Sequence, residues 1–162
     1  MNLRSDHPVE EMHLYPWHTD FSYNAGSKNS LVFWIQLTDV DEEIGSLHVL
    51  EKSHLVRSEI SIDQKALKTR QSSKYFEITN IEKIKSTCKE TRVNLQLGQG
   101  VVFNSNLVHK SGKNTSKSTR FAMQLRWMDA SSPDAIERHY RGGIDGGINP
   151  LTYIPGIVEL ND

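Results

Sequence analysis

Two segments of the chain alternate between apolar and polar positions with the period of two that is typical of β-strands. Residues 31–38 place four apolar side chains on one face and a mixture of apolar and hydrogen-bonding groups, including Trp34, on the other. Residues 120–128 repeat the pattern, with Arg120 and Arg126 on the mixed face. The two segments therefore predict the wall of a barrel that is packed on its outside and functional on its inside.

The rest of the chain supplies further short strands separated by polar turns. Residues 1–11 are interpreted as a loose N-terminal arm. A hairpin is expected between Gly100 and Arg120, where a polar turn joins two apolar runs. Other predicted elements are strands at residues 12–17, 46–50, 75–79 and 91–97, an exposed loop at 21–29, a short helix at 63–68 and a polar connector at 80–89. This sequence of elements predicts an all-β, mainly antiparallel sandwich or barrel, because no amphipathic helices alternate with the strands.

Length and composition limit the function classes. A chain of 162 residues fits one domain, residues 1–162, of which 131–162 form a turn-rich C-terminal extension. The net charge of −1 provides no basic field for nucleic acid. No apolar run reaches the roughly 20 residues that span a bilayer, and the N-terminus lacks the apolar stretch of a signal peptide. With Cys88 as its single cysteine, the chain is expected in the cytoplasm.

The pair His18 and Asp20 is the first candidate for metal chemistry. In an extended segment, residues i and i+2 point to the same side, so imidazole and carboxylate can converge on one ion. A distant second histidine would complete a set of two histidines and one carboxylate, which suits ferrous iron with open positions. His48, His54 and His109 all compete for that role on composition alone.

Arg120 is the second candidate, since it follows His109 across a polar turn and lies on the mixed face of its strand. A guanidinium inside a small barrel is costly unless it meets an anion, and its planar fork matches a carboxylate. Ser111, two residues after His109, can lie on the same side and donate a second hydrogen bond. The alternative is a surface arginine or one that pairs with a protein carboxylate.

Taken together, these features resemble the phytanoyl-CoA dioxygenase family over roughly residues 12–129. The resemblance is carried by His18-x-Asp20, the strand with Trp34, Gly45-Ser46-Leu47, Ser53-His54, Gly100, Phe103, His109-x-Ser111, Asn114, Ser116 and Arg120. It implies a double-stranded β-helix, also called a jelly roll, with few short helices. It also implies iron(II) and O2 chemistry that uses 2-oxoglutarate as cosubstrate, hydroxylates a small molecule, and releases succinate and carbon dioxide.

By the same resemblance, His18, Asp20 and His109 would be the iron ligands and the catalytic centre. Arg120 and Ser111 would hold the distal carboxylate of 2-oxoglutarate, and Trp34 would line its pocket. His48 and His54 are then interpreted as structural.

The sequence departs from the family pattern at two places, of which the first favours an alternative function and the second is expected to alter a turn. Only residues 1–17 precede His18, where the family has a longer region, and Glu51-Lys52 replaces the more usual Pro-Gly. The alternative is a truncated, non-catalytic jelly-roll module that binds a small molecule or a partner chain. A metal-dependent, cupin-like enzyme without 2-oxoglutarate is a third reading, and exposed barrel faces would favour a homo-oligomer.

Overall fold

A computed structural model describes residues 2–9, 14–23, 26–69 and 72–137 of the chain. The strands are β1 (Asn2–Asp6), β2 (Ser30–Gln36), β3 (Leu47–Leu50), β4 (Ile60–Ile62), β5 (Phe76–Ile78), β6 (Glu90–Val93), β7 (Gly100–Asn104), β8 (His109–Ser111) and β9 (Arg120–Met128). The helices are α1 (Asp20–Tyr23), α2 (Gln64–Lys68), α3 (Ile81–Thr87) and α4 (Pro133–Glu137). None of the helices in this described part is long and apolar enough to cross a membrane.

Two antiparallel sheets form the barrel. The main sheet has the strand order β1-β9-β2-β7, and the second sheet has the order β6-β3-β8. Side chains from both sheets meet in one apolar core, which includes Trp34 of β2, Leu47 of β3, Phe103 of β7 and Ala122 of β9. The predicted jelly roll with few short helices is thus confirmed, with β4 and β5 paired as a small separate ribbon.

The alternation along β2 and β9 is confirmed, but the expected outer packing is not. Trp34 and Arg120 are buried on the inner face, whereas Leu31 and Trp127 on the outer face are 45% and 64% exposed. Leu3 of β1 extends the same exposed apolar surface at the sheet edge. Within the described residues, the outside of the main sheet is therefore an apolar surface in contact with solvent.

The interpretation of residues 1–11 as a loose arm was wrong for β1. This strand pairs with the whole first half of β9, with Arg4 opposite Ala122 and Asp6 opposite Arg120. Its inner side chains are polar or charged rather than apolar, so the period-two pattern carries no hydrophobic signal. A main-sheet strand was missed for that reason.

The connector at residues 80–89 was also predicted wrongly, because it contains α3. Ile81, Ile84 and Cys88 recur at helical spacing and pack on the second core cluster against Leu50 and Val108. The short helix predicted at 63–68 is confirmed as α2.

The hairpin expected between Gly100 and Arg120 does not form. β7 pairs with β2 in the main sheet, β8 pairs with β3 in the second sheet, and β9 returns to the main sheet beside β2. The polar residues after β8 therefore cross from one sheet to the other. This crossing is what places His109 and Arg120 in different walls of the same barrel.

A close backbone approach fixes the start of this crossing. A Cβ on Gly112 would lie 2.3 Å from the carbonyl oxygen of Ser46, and one on Gly45 would lie 2.6 Å from that of Gly112. Gly45 also has a positive φ of 88°. Only glycine fits at both positions, so the end of β8 is held tightly against the start of β3.

The turn at Glu51-Lys52 keeps a backbone shape that suits glycine. Lys52 has φ 63° and ψ 6°, in the left-handed region. A lysine adopts this conformation at a higher energy than the glycine usual in the family would. The departure from the family pattern therefore leaves the turn in place.

The C-terminal extension is described only as far as residue 137. Asp134 of α4 accepts hydrogen bonds from the Ser27 hydroxyl at 2.9 Å and from the backbone N–H of Lys28 at 2.6 Å. The remainder of the predicted extension lies outside the described residues. The assignment of residues 1–162 to one domain stays a prediction.

Candidate active site

His18 and His109 are brought together by the backbone. Residues 14–17 are not a strand, contrary to expectation for that part of residues 12–17, and His18 instead forms a single antiparallel bridge with His109. Two reciprocal backbone hydrogen bonds of 2.9 Å and 3.0 Å connect the two residues. Asp20 follows at the start of α1, so the His-x-Asp segment turns inward at the mouth of the barrel.

The three side chains form one compact cluster. Ligand atoms of His18, Asp20 and His109 all lie within 4.8 Å of one another, and all three residues are buried. Asp20 Oδ1 is 3.8 Å from His18 Nε2 and 3.9 Å from His109 Nε2. The cluster predicted from the sequence is therefore present in the fold.

Backbone carbonyls orient both imidazole rings. His18 Nδ1 lies 2.7 Å from the carbonyl oxygen of Pro16, and His109 Nδ1 lies 2.9 Å from that of Leu107. A carbonyl oxygen can only accept, so each Nδ1 carries the proton and each Nε2 keeps its lone pair. Both lone pairs belong to the nitrogens that face Asp20, which is the arrangement found in metal-binding histidines.

Burial sets the charge state of the cluster. Desolvation, together with the neighbouring His109, lowers the pKa of His18 to about 3. Burial likewise lowers the pKa of His109. Burial opposes ionisation of Asp20, but His109 and Arg126 outweigh it and hold the pKa of that carboxyl below its usual range. At neutral pH the cluster thus offers two neutral imidazoles and one carboxylate.

Arg126 of β9 holds the Asp20 carboxylate in place. Its Nε donates to Oδ2 at 3.1 Å and its Nη2 to Oδ1 at 3.3 Å, while Nη2 also donates to Gln124 Oε1 at 3.1 Å. The alternation along residues 120–128 placed Arg126 on the functional face of β9, but no role was predicted for it. Its position on the same face as Arg120 is the signal that could have identified it.

The donor set fits a ferrous ion. Two imidazole nitrogens and one carboxylate, each oriented by a neighbour, form the facial arrangement that leaves room for further ligands. The competing histidines lie elsewhere: His48 pairs with Glu90 at 2.6 Å, and His54 is exposed. Neither belongs to the cluster, and their interpretation as structural stays a prediction.

The predicted carboxylate clamp is placed differently from expectation. Arg120 is 0% exposed, and its Nε and Nη2 donate to Asp6 Oδ2 at 3.1 Å and 2.6 Å. Its Nη1 is buried and has no hydrogen-bond partner among the described residues. The fork of Arg120 thus holds a protein carboxylate, the alternative raised from the sequence, and leaves the nitrogen Nη1 unused.

Arg4 of β1 also lines the cavity, and its role was not predicted from the sequence. Its Nε donates to both Asp6 oxygens at 2.9 Å and 2.8 Å, and its Nη2 donates to Ser111 Oγ at 3.1 Å. The guanidinium lies over the Tyr15 ring at 5.3 Å and the Trp34 ring at 5.9 Å. Ser111 and Trp34 are therefore at the cavity, as predicted, but beside Arg4.

A single cavity connects the metal-ligand cluster with Arg4, Ser111 and Trp34. Its volume is about 340 Å³, at the small end of ligand-binding pockets. It is lined by Asn2, Leu3, Arg4, Ser5, Asp6, Tyr15, His18, Asp20, Tyr23, Trp34, His109, Ser111, Gln124 and Arg126. The metal-ligand cluster and two guanidinium groups thus face one small, mostly polar space.

Comparison with known families agrees with this geometry. A family model described as "Phytanoyl-CoA dioxygenase (PhyH)" matches residues 6–122. A comparison with curated protein sequences gave no match.

Solved structures share the fold at low sequence identity. The non-heme alpha-ketoglutarate-dependent carbocyclase SnoK from nogalamycin biosynthesis is 23% identical, with a TM-score of 0.62 over 79% of this chain and 48% of its own. EvdO2 from Micromonospora carbonacea var. aurantiaca, complexed with 2-oxoglutarate, is 19% identical, with a TM-score of 0.60 over 82% of this chain and 54% of its own. EctD from S. alaskensis with bound Fe is 16% identical, with a TM-score of 0.60 over 80% and 43%. The chain therefore spans about half the length of the structures it matches.

Proposed function

The chain belongs to the phytanoyl-CoA dioxygenase family, and on that basis we propose that it forms the catalytic barrel of an iron(II)- and 2-oxoglutarate-dependent dioxygenase. The reaction would hydroxylate a small molecule and release succinate and carbon dioxide. The observation that carries the proposal is the cluster of His18, Asp20 and His109, with both Nε2 atoms directed at the carboxylate.

The metal ligands of the proposal are those three residues. Bound iron would supply oxygen activation coupled to oxidative decarboxylation of 2-oxoglutarate, leaving the protein to orient and shield the reactants. The carbonyls of Pro16 and Leu107 keep the two rings in the ligating tautomer, and Arg126 keeps Asp20 ionised and oriented. Three protein ligands leave the other coordination positions for cosubstrate and O2.

The cosubstrate groups are Arg120, Ser111 and Trp34. The unused Nη1 of Arg120 is a buried donor that a carboxylate would satisfy, which supports the clamp assignment. Ser111 accepts from Arg4 and keeps its own hydroxyl proton to donate. Trp34 gives an apolar wall beside the guanidinium groups of Arg4 and Arg120, each of which lies 5.9 Å from its ring.

The substrate is expected to be a small molecule, because the cavity has the volume of a small-ligand site. Nucleic acid and membrane have no part in the proposal. A cytoplasmic location and pairing of barrels through exposed faces stay predictions from the sequence.

Substitution of a ligand tests the assignment. His109→Ala should abolish iron binding and the conversion of 2-oxoglutarate to succinate, measured by metal analysis and by product formation. His54→Ala, at an exposed histidine outside the cluster, is the matched control and should keep both. Retained turnover in His109→Ala would rule out the ligand set.

A non-catalytic jelly-roll module is the second candidate, and the occupied fork of Arg120 favours it. If Asp6 permanently fills the cosubstrate position, the barrel would bind metal without 2-oxoglutarate. Titration of the metal-loaded protein with 2-oxoglutarate separates the two, because only the enzyme should bind it.

A further inference from the structure

Gln124 is a buried amide on the inner face of β9, close to the metal-ligand cluster. It is 8% exposed, lies opposite Trp34 of β2, and lines the same cavity as the three residues of that cluster. None of the roles in the proposed function uses this side chain.

Arg126 fixes which way round the amide of Gln124 lies. Arg126 Nη2 donates to Gln124 Oε1 at 3.1 Å, and the reverse orientation of the amide would set two donors against each other. Oε1 is therefore the acceptor, and Nε2 is the end of the amide that turns away from Arg126.

The Nε2 nitrogen of Gln124 has no hydrogen-bond partner within the described part of the chain. Buried donors in native proteins are normally satisfied, by protein, by water or by a ligand, because an unsatisfied donor costs free energy. Gln124 borders the cavity. The fold therefore presents a fixed, neutral donor to an oxygen atom of a molecule in that cavity.

The same nitrogen of Arg126 relates this donor to the metal site. Nη2 donates to Asp20 Oδ1 at 3.3 Å as well as to Gln124 Oε1 at 3.1 Å. Oδ1 is the oxygen that faces both imidazoles, at 3.8 Å from His18 Nε2 and 3.9 Å from His109 Nε2. The amide of Gln124 is thus one guanidinium nitrogen away from the oxygen at the centre of the cluster.

We propose that Gln124 is a cosubstrate-binding residue that donates from Nε2 to the oxo-acid end of 2-oxoglutarate, the end that would chelate the metal. The assignment rests on the proposed function, because it concerns the same site. Arg120, which is assigned to the distal carboxylate, lies four residues earlier in β9, about 13 Å along the strand. One strand then carries the residues for both ends of the cosubstrate.

Gln124→Met tests the donor, because it removes Nε2 while the side chain stays neutral and similar in size. We expect a roughly tenfold higher Kd for 2-oxoglutarate at saturating Mn²⁺, measured by calorimetry, since a hydrogen bond to a charged group is lost. The Kd for Mn²⁺ should stay close to that of the wild type, because Arg126 keeps both contacts with Asp20.

Gln99→Met is the matched control. Gln99 is an exposed glutamine outside the cavity, and its Oε1 also accepts a hydrogen bond, from the backbone N–H of Gln96 at 2.9 Å. This variant should keep the wild-type Kd for 2-oxoglutarate.

Gln124→Glu separates the donor from the contact with Arg126, and it replaces Gln124→Met if that variant is too unstable to purify. The glutamate keeps an oxygen that accepts from Arg126 Nη2 and exchanges the donor for an acceptor of nearly the same shape. The Kd for 2-oxoglutarate should rise by more than in Gln124→Met, because two carboxylates then face each other.

The visible band of the anaerobic iron(II) complex with 2-oxoglutarate identifies the end that Gln124 contacts. A donor at the oxo-acid end lowers the energy of the ligand orbital that accepts the electron, so Gln124→Met should move the band to shorter wavelength. A donor at the distal carboxylate lies outside the chelate and would leave the band where it is.

The outcomes separate this assignment from the proposed function. A wild-type Kd for 2-oxoglutarate in the Gln124 variants would overturn the assignment, and so would a raised Kd for Mn²⁺ alone, which is expected if Gln124 only steadies Arg126. A weaker Kd with an unmoved band would overturn the contact with the oxo-acid end. If the wild type binds Mn²⁺ and no 2-oxoglutarate, the proposed function fails as well.

Discussion

The two faces of the main sheet are made by the same strands and differ in almost every physical respect. The inner face carries the buried charged groups Asp6 and Arg120, the partly buried Arg4 and the buried Trp34. The outer face carries apolar side chains that remain in solvent, such as Trp127 at 64% exposure. The difference shows that in this sheet burial follows the closure of the barrel rather than hydrophobicity, since charge is enclosed and apolar surface is left outside.

The largest effect on stability is expected from the inner face, at Arg120. Arg120→Ala deletes a fully buried cation that shares Asp6, and breaking one partner of a buried ion pair costs about 3 kcal/mol. The variant should also bind 2-oxoglutarate more weakly while it keeps iron. Urea unfolding and metal analysis measure the two effects.

The control for Arg120 is Arg92, a 49% exposed arginine that pairs with Glu42 on the surface. Arg92→Ala should change the free energy of unfolding by less than about 1 kcal/mol. Equal losses for the two variants would remove the distinction between the inner face and the surface. Loss of iron together with unchanged 2-oxoglutarate affinity in Arg120→Ala would contradict the clamp role.

The next effect is a pH dependence that comes from the enclosed histidines. His18 has a folded pKa of about 3, below the roughly 6.5 of an unfolded histidine, so protons bind preferentially to the unfolded chain. The contribution of His18 to stability is therefore fully present above pH 6.5 and is lost progressively as the pH falls toward 3. Protonation of His18 in the unfolded chain should by itself lower the free energy of unfolding by roughly 2 kcal/mol between pH 7.5 and pH 5. The lowered pKa of His109 acts in the same direction.

Urea unfolding of the metal-free protein across this range provides the measurement. His18→Asn should flatten the profile, whereas Trp127→Ser on the outer face should leave its shape unchanged. A wild-type profile that is flat between pH 7.5 and pH 5 would contradict the enclosed, neutral state of the histidines.

A smaller effect is expected at Arg126, which acts on the metal through Asp20. Arg126→Gln removes the contacts at 3.1 Å and 3.3 Å and should weaken metal binding roughly tenfold. Chelator competition with Mn²⁺ measures this, and Arg126→Lys should recover part of the affinity because it restores the charge. Metal affinity equal to that of the wild type in Arg126→Gln would show that Asp20 does not need this partner.

The smallest effect is expected on the outer face. Trp127→Ser exchanges a 64% exposed side chain for a polar one, and surface substitutions of this kind usually stay within about 0.5 kcal/mol. Thermal and urea unfolding should both be close to the wild type. A large loss would mean that this face is packed in solution, as the alternation along β2 and β9 had first suggested.

The part of the fold that the sequence predicts is the part whose signal is local. Alternation along β2 and β9 identified both strands and their inner faces, and the spacing of His18 and Asp20 selected two of the clustered residues. His109 was selected through the family pattern, because three histidines competed on composition.

The missed features depend on contacts between distant residues. Asp6 pairs with Arg120, which lies 114 positions later in the sequence. The segment of β1 was interpreted as a solvated arm because a buried ion pair leaves no hydrophobic pattern. The expected hairpin failed for a related reason, since the segment after β8 crosses between sheets at the contact of Gly45 with Gly112. Neither pairing has a local sequence signal.

The inner cavity is proposed to hold iron(II) together with 2-oxoglutarate. The most direct test is an anaerobic titration of the iron(II)-loaded protein with 2-oxoglutarate, followed by visible absorption. The wild type should show the charge-transfer band of the chelate, and His109→Ala should not. Iron binding without that band in the wild type would rule out the dioxygenase and favour a binding module.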